Sequence, residues 1–145
     1  MKSIFKKICI ASDHAGFLLK NNIKNLLIDN NISTIDLGPL NNKSVDYPDF
    51  AKKLSKKISS KKGSFGILVC GSGTGMAIAA NKTKNVRAAL CYSIKNTKLS
   101  RLHNNANIIT LGQRLISKKK AFSLIKIFLS TKFEGGRHLR RVKKI

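Results

Sequence analysis

Cys70 stands at the end of an apolar run, Phe65-Gly-Ile-Leu-Val-Cys70, and is followed at once by Gly71-Ser-Gly-Thr-Gly75. A thiolate can serve as nucleophile or general base, and an amide-rich loop beside it favours an anion. Gly71, Gly73 and Gly75 let backbone N–H groups turn toward one point, where a phosphate or an oxyanion is stabilised. Two familiar readings of such a loop fail. A dinucleotide fingerprint needs G-x-G-x-x-G, but Met76 takes the last position, and no Asp or Glu lies between Asp49 and Glu134 to bind a ribose. A P-loop needs Gly-Lys-Ser/Thr, whereas Gly75 is followed by Met76-Ala77. The glycines also fit a plain strand-to-helix turn, and Cys70 a small buried filler, as Cys9 and Cys91 are read inside strand patterns.

Three further groups carry polar chemistry. Asp13-His14, just before Gly16, supply an acceptor and a switchable donor at a strand end. His103-Asn104 form a polar cluster after a helix, and they are grouped with Asp13-His14 and Cys70 as strand-end features. Arg137 and Arg141 are four apart, so on a helical tail they share a face and can clamp a phosphate with forked donors. A solvated or RNA-binding tail explains the same arginines, and a solvated tail is the expected place of His138.

The elements that must position these residues follow from hydrophobic periodicity. Ile8–Ala11, Ser33–Gly38, Phe65–Gly71, Val86–Cys91 and Asn107–Gly112 read as five strands. Between them lie helical stretches. The first carries Phe17, Leu18, Ile23, Leu26 and Leu27 as its apolar side, with Lys20 and Lys24 between. The second starts near Pro48, the third at Met76, the fourth spans Ile94–Leu102 and the last long one Ser117–Ser130. This alternation predicts an α/β fold, a Rossmann-like doubly wound five-stranded parallel sheet with a C-terminal basic tail, in a single domain spanning 1–145. Sites in such sheets lie at the carboxyl ends of the strands.

The chain has 145 residues, with 29 Lys+Arg against 6 Asp+Glu, a formal charge of +23. Its charged fraction, 24%, is ordinary, so the excess is a shift from acid to base. That keeps nucleic acid, membrane surface and anionic substrates open as partners. Much of the bias is Lys, accompanied by Ile and Asn, which fits A/T-rich codon usage. No apolar run is long enough for a membrane span, and Met1–Lys7 lacks a signal-peptide apolar region. Three cysteines with no CxxC pattern argue for a reducing cytoplasm over a disulfide framework. Zinc is not expected either, since no Cys or His pair stands at ligand spacing.

Together these pieces resemble the ribose-5-phosphate isomerase B family, within a broader group that includes galactose-6-phosphate isomerase subunits. The matching residues are Ser12-Asp-His-Ala-Gly-Phe17, Asp46-Tyr-Pro48, Cys70-Gly-Ser-Gly-Thr-Gly75 with Ala79-Ala-Asn-Lys82, Leu99-Ser-Arg-Leu-His-Asn104, Leu111-Gly-Gln-Arg114 and Glu134-Gly-Gly-Arg-His138 with Arg141. They occur in family order and span nearly the whole chain. The resemblance implies a homodimer or dimer of dimers with active sites shared between subunits. It assigns Cys70 as the base that moves a proton between C2 and C1 of ribose 5-phosphate, with the Gly71–Gly75 amides, Gly73 and Thr74 among them, holding enediolate charge. Ser72 supports that loop, His103 opens the furanose, and Asp13 and Asn104 bind sugar hydroxyls. Tyr47 lines the sugar site, and Arg137 and Arg141, with His14 and Arg114 across the dimer interface, bind phosphate. Some family members carry a carboxylate base at or near the position of Thr74; none is present here, which favours Cys70. Such an isomerisation calls for a tuned base, a charge-stabilising loop and a phosphate anchor, without redox cofactor or metal.

Two rivals remain at this level. The same chemistry on a six-carbon phosphate, galactose or allose 6-phosphate, differs only in the reach from glycine loop to arginines. A full set of site residues in one chain speaks against the galactose enzyme, which pairs two different subunits. A nucleic-acid-binding protein is suggested by net charge alone; it calls for a basic stripe with stacking aromatics. Here the lysines are spread through every segment, including Lys52-Lys53, Lys56-Lys57, Lys61-Lys62 and Lys118–Lys120, and aromatics are only 6%.

Overall fold

Strands and helices alternate along the chain as the apolar runs predict. The computed structural model describes residues 7–60 and 64–145, so most of the basic opening Met1–Lys7 and the pair Lys61-Lys62 lie outside the described residues. In chain order the elements are β1 (Lys7–Ser12), α1 (Phe17–Asp29), β2 (Ser33–Asp36), α2 (Tyr47–Ser59), β3 (Phe65–Cys70), α3 (Thr74–Ala80), β4 (Ala88–Leu90), α4 (Ile94–Leu102), β5 (Ile108–Gly112), α5 (Lys118–Ser130) and α6 (Gly136–Val142). The expected basic tail is therefore a short helix. Pro48 sits in the first turn of α2, where its missing N–H costs nothing.

All four strand pairings are parallel, in the order β2-β1-β3-β5-β4. Steps β1→β2 and β4→β5 run one way along this sheet; β2→β3 and β3→β4 run the other way. Right-handed crossovers must then place α1 and α4 on one face and α2 and α3 on the opposite one. The packing follows that rule. Leu19, Ile23 and Leu27 of α1 join Leu124, Ile125 and Phe128 of α5 over one face. Ala51, Leu54 and Ile58 of α2 join Met76 and Ala80 of α3 over the other. The sheet is covered on both sides, which is why β3 is buried at all six positions.

One helix face differs from expectation. Leu18 is 66% exposed, while Lys20 is fully buried. At 100° per residue, Lys20 shares a stripe with Ile23 and Leu27, and Leu18 points nearly opposite. Position overrides residue type here because Lys20 has partners: its Nζ donates to Asp36 Oδ1 at 2.9 Å and to the Pro39 carbonyl at 2.6 Å.

Candidate active site

In this topology β1 and β3 are neighbours whose following helices leave to opposite faces, so a crevice must open between their carboxyl ends. A cleft of about 350 Å³ lies there, with Asp13, His14, Tyr47, Cys70 and Arg114 among its lining residues. Gly71, Ser72 and Gly75 of the glycine loop complete its floor. Gly73 and Thr74 carry the loop into α3 without lining the cleft.

The local geometry follows from close backbone approaches. Gly73 caps α3 with φ +79°, a left-handed conformation that suits glycine. Its N–H donates to the Cys70 Sγ at 3.0 Å, and the Cys70 side chain is otherwise buried at the end of β3. The Ser72 hydroxyl accepts the Thr74 N–H at 3.3 Å, bracing the same turn. The loop after β5 straps it from the other side: Gln113 and Arg114 donate backbone N–H groups to the carbonyls of Cys70 and Gly71 at 2.9 and 3.0 Å. The Arg114 guanidinium lies over Gly71, and the Tyr47 ring over Gly75, so closely that an added Cβ would crowd either one.

Asp13 is buried and accepts the Gly16 N–H through Oδ1 at 2.8 Å, fixing it at the start of α1. Gly16 is required there because a Cβ would stand 2.4 Å from the Val69 carbonyl oxygen. His14 is exposed, with Nδ1 3.2 Å from the Val45 carbonyl, beside the loop that leads to α2.

The remaining predicted residues are elsewhere. His103 and Asn104 line a second cleft of about 450 Å³ with His138, Arg141, Val142 and Ile145. The strand-end grouping of His103-Asn104 is therefore corrected. α4 runs back from the carboxyl end of β4, so its C-cap, His103, returns to the amino ends of the strands, a few residues before β5 begins. β3 is six residues long, so the two ends of the sheet are about 17 Å apart. Arg137 is exposed on α6, next to His138.

His138 is a second correction, for its solvated-tail placement fails. It is 5% exposed, and its ring stacks on His103 with centroids 4.1 Å apart and planes 9° apart. Glu134 faces both rings: its Oε2 lies 3.7 Å from His103 Nε2 and 3.9 Å from His138 Nε2. Burial, then the nearby His103, pull His138 below the ordinary histidine pKa; Glu134 opposes, and Arg137 and Arg141 add to the lowering.

A buried cation pins each end. Beside the first cleft, Lys20 and Lys24 both reach Asp36. Burial alone would raise the Asp36 carboxyl, but hydrogen bonds from Lys20, the Gly38 N–H and Lys24 outweigh it and hold it below the usual range. Beside the second cleft, Arg101 donates to the carbonyls of Thr131 and Ala106 and to Asn105 Oδ1. Its guanidinium lies 4.7 Å from the Phe65 ring centroid and 5.5 Å from that of Phe128. Burial and the like charge of Arg87 lower its pKa to about 10, so it stays charged at neutral pH. Cys91 is fully buried, and burial pushes its thiol up.

The profile of the Ribose/Galactose Isomerase family matches residues 8–145. The chain belongs to the ribose/galactose isomerase family. Ribose-5-phosphate isomerase B of Escherichia coli is 36% identical over 140 residues, covering 97% of this chain and 94% of that protein. A crystal structure of a ribose 5-phosphate isomerase from Thermotoga maritima superposes with a TM-score of 0.93 at 52% identity, over 95% of both chains. A structure of ribose-5-phosphate isomerase B from Mycoplasma genitalium with bound ribulose-5-phosphate gives 0.92 at 41% identity, covering 99% of this chain and 95% of that one.

For this family member, sequence reasoning missed two neighbours of His103. The partnership of His103 with His138 spans 35 positions and exists only because α5 returns the chain, so that the Glu134 N–H donates to the Leu102 carbonyl at 3.1 Å. One signal was available: Glu134 and His138 stand four apart, close enough in the chain for an acid and a histidine to meet, here across the entry into α6. His103, Glu134 and His138 also bring three ligand-type atoms within 4.8 Å of one another. They fit a metal ion poorly. Near-parallel rings aim their in-plane lone pairs side by side instead of at one centre, and Arg137 and Arg141 repel a cation. Among the described residues no helix is long and apolar enough to cross a membrane.

Proposed function

We infer that this protein interconverts ribose 5-phosphate and ribulose 5-phosphate through an enediolate, a step of pentose phosphate metabolism. The observation that carries this reading is the Cys70 thiol at the sheet's switch-point cleft, with the Gly73 N–H aimed at its sulfur, in a member of this isomerase family. In the open-chain aldose, the Cys70 thiolate takes the C2 proton. The C–H pair becomes the C1–C2 double bond, and the carbonyl pair moves onto O1. The glycine-loop N–H groups, with Ser72 bracing the turn, hold that charge while the enediolate lasts. Return of the same proton to C1, with the O2 hydroxyl proton passing to O1, gives the ketose. No electrons are gained or lost overall, so the chemistry needs acid, base and charge stabilisation.

The distance between the two clefts supports an assembly reading. One chain holds Cys70, Asp13, Tyr47, His14 and Arg114 at the carboxyl end of the sheet and His103, Asn104, Arg137 and Arg141 at the amino end. A pentose phosphate cannot bridge about 17 Å, so the working site combines one cleft from each of two copies. Leu115, on the rim of the first cleft, is 67% exposed, and Ile145, on the rim of the second, is 83% exposed. Such apolar rims suit burial against a second copy, as a homodimer or a dimer of dimers. In the joined site His103 opens the furanose ring, Asn104 and Asp13 hold sugar hydroxyls, and the arginines with His14 take the phosphate. A phosphorylated pentose as substrate and cysteines that form no disulfide among the described residues fit a cytoplasmic enzyme.

The test is conversion of ribose 5-phosphate by the purified protein and by Cys70→Ala. The wild type should turn over without added metal, and the variant should lose at least ~10²-fold in kcat, the lower range for removing a general base. Full activity in the variant would sink the Cys70 assignment, and an inactive wild type the ribose reading.

A further inference from the structure

We propose that His138 is a positioning residue, the buried plate against which the His103 imidazole is held, and that the stacked pair works only while it carries at most one proton. This deepens the isomerase reading and rests on it, since that reading gives His103 its task. The geometry supplies the reasons. The two rings are stacked 4.1 Å apart and almost parallel, so one fixes the plane of the other. His103 is 36% exposed and on the open wall of its cleft, whereas the His138 side chain is only 7% exposed and so is the fixed member. The His138 Nε2 is buried with no hydrogen-bond partner, and both Nε2 atoms face the same Glu134 oxygen. One carboxylate oxygen can balance one imidazolium; a second positive ring in contact with the first has nothing left to oppose it.

The charged groups acting on His138 are His103 at the end of α4, Glu134 in the connection before α6, and Arg137 and Arg141 on α6 itself. Burial and the like charges favour its neutral form. Because His138 is lowered, its neutral form is present in full above the ordinary histidine value of about 6.5. It is lost as pH falls through the lower folded value. A second proton on the stacked pair sets two cations face to face, the stack parts, and His103 leaves its place on the cleft wall.

The experiment compares kcat and KM for ribose 5-phosphate across pH in the wild type, His138→Ala and His138→Phe. Alanine removes the plate, and at pH 7.5 it should lower kcat at least tenfold with KM changed less than about threefold. Phenylalanine restores a flat ring without a titrating nitrogen, so it should recover most of that loss. It should also move the acid limb of kcat at least about one pH unit lower than in the wild type. An acid limb that stays in place in His138→Phe, or an unchanged kcat in His138→Ala, overturns the proposal. Should His138→Ala not fold, the limb in His138→Phe decides alone. Histidine-labelled NMR titration of the free protein reads the pair without turnover: the His138 midpoint should lie below that of a free imidazole and rise in His103→Gln. An inactive wild type with that NMR behaviour removes the isomerase reading and leaves the one-proton pair. An active wild type whose His138 midpoint is unmoved in His103→Gln does the reverse.

Discussion

The two ends of the sheet hold the two sets of candidate residues, and they are built by different means. At the carboxyl end the cleft is mostly backbone. The glycine loop, the end of β5 and the start of α1 approach so closely that neighbouring backbone excludes a Cβ at Gly16 and Gly112. Cys70 and Asp13 are nearly buried there, and each is held by an N–H three residues ahead. At the amino end the cleft is made of side chains on helix ends. His103 caps α4, His138 and Arg141 project from α6, and the two helices are brought together by α5 and by Arg101. The difference teaches where precision comes from in each case. The carboxyl end of the sheet fixes most of the first half within a few residues of the ends of β1, β3 and β5, whereas the second half depends on three helices returning to one place. Their pinning cations differ as well: Lys20 is matched to a carboxylate, and Arg101 to carbonyls and ring faces.

If the two halves meet only between copies, inactive variants of opposite halves should rescue each other. Cys70→Ala and His103→Ala, refolded together at equal amounts, should recover about a quarter of wild-type activity: half the dimers are mixed, and each of these has one intact site. A mixture as inactive as its components breaks the two-copy arrangement. The next test loosens the carboxyl end alone. Asp36→Asn leaves buried Lys20 without its carboxylate and should cost about 3 kcal/mol at pH 7 in urea unfolding. The depressed pKa of Asp36 means that its contribution is complete above its unfolded value of about 3.9. It disappears as pH falls through the lower folded value, so variant and wild type should converge in acid. A gap that persists unchanged at pH 2 would detach Asp36 from that end's stability. The smallest effect belongs to the exposed rim of the amino end. Arg137→Ala should lower kcat/KM for the phosphorylated substrate about tenfold, chiefly through KM. No change in kcat/KM removes Arg137 from phosphate binding.

Much of the first half was legible in the sequence because its parts lie at the ends of apolar strands. Cys70 and the glycines follow the most apolar strand, and Asp13 follows the first one, so a doubly wound sheet places them together without further information. The second half was legible as residues but not as a place. His103-Asn104 looked like a strand-end feature because a parallel fold directs attention to carboxyl ends, while a helix that returns must finish at the other end. His138 looked solvated because a run of arginines surrounds it. The ring stacked on it, His103, is 35 positions away. Lys20 misled in the same manner: its charge suggested solvent, although its helical angle put it beside Ile23 and Leu27, with Asp36 waiting across β2.

The sequence by itself determined the periods, and through them the five parallel strands, the covered sheet and the residue types for proton transfer and phosphate binding. Only the tertiary structure decided that these residues form two clefts, that a histidine pair stands at one of them, and that Lys20 and Arg101 are interior. Periodicity is local and reports which side of an element faces inward. Which distant side chain will be there to accept a proton, balance a charge or stack on a ring depends on crossover direction and helix return, and those are set by the packing of the whole chain.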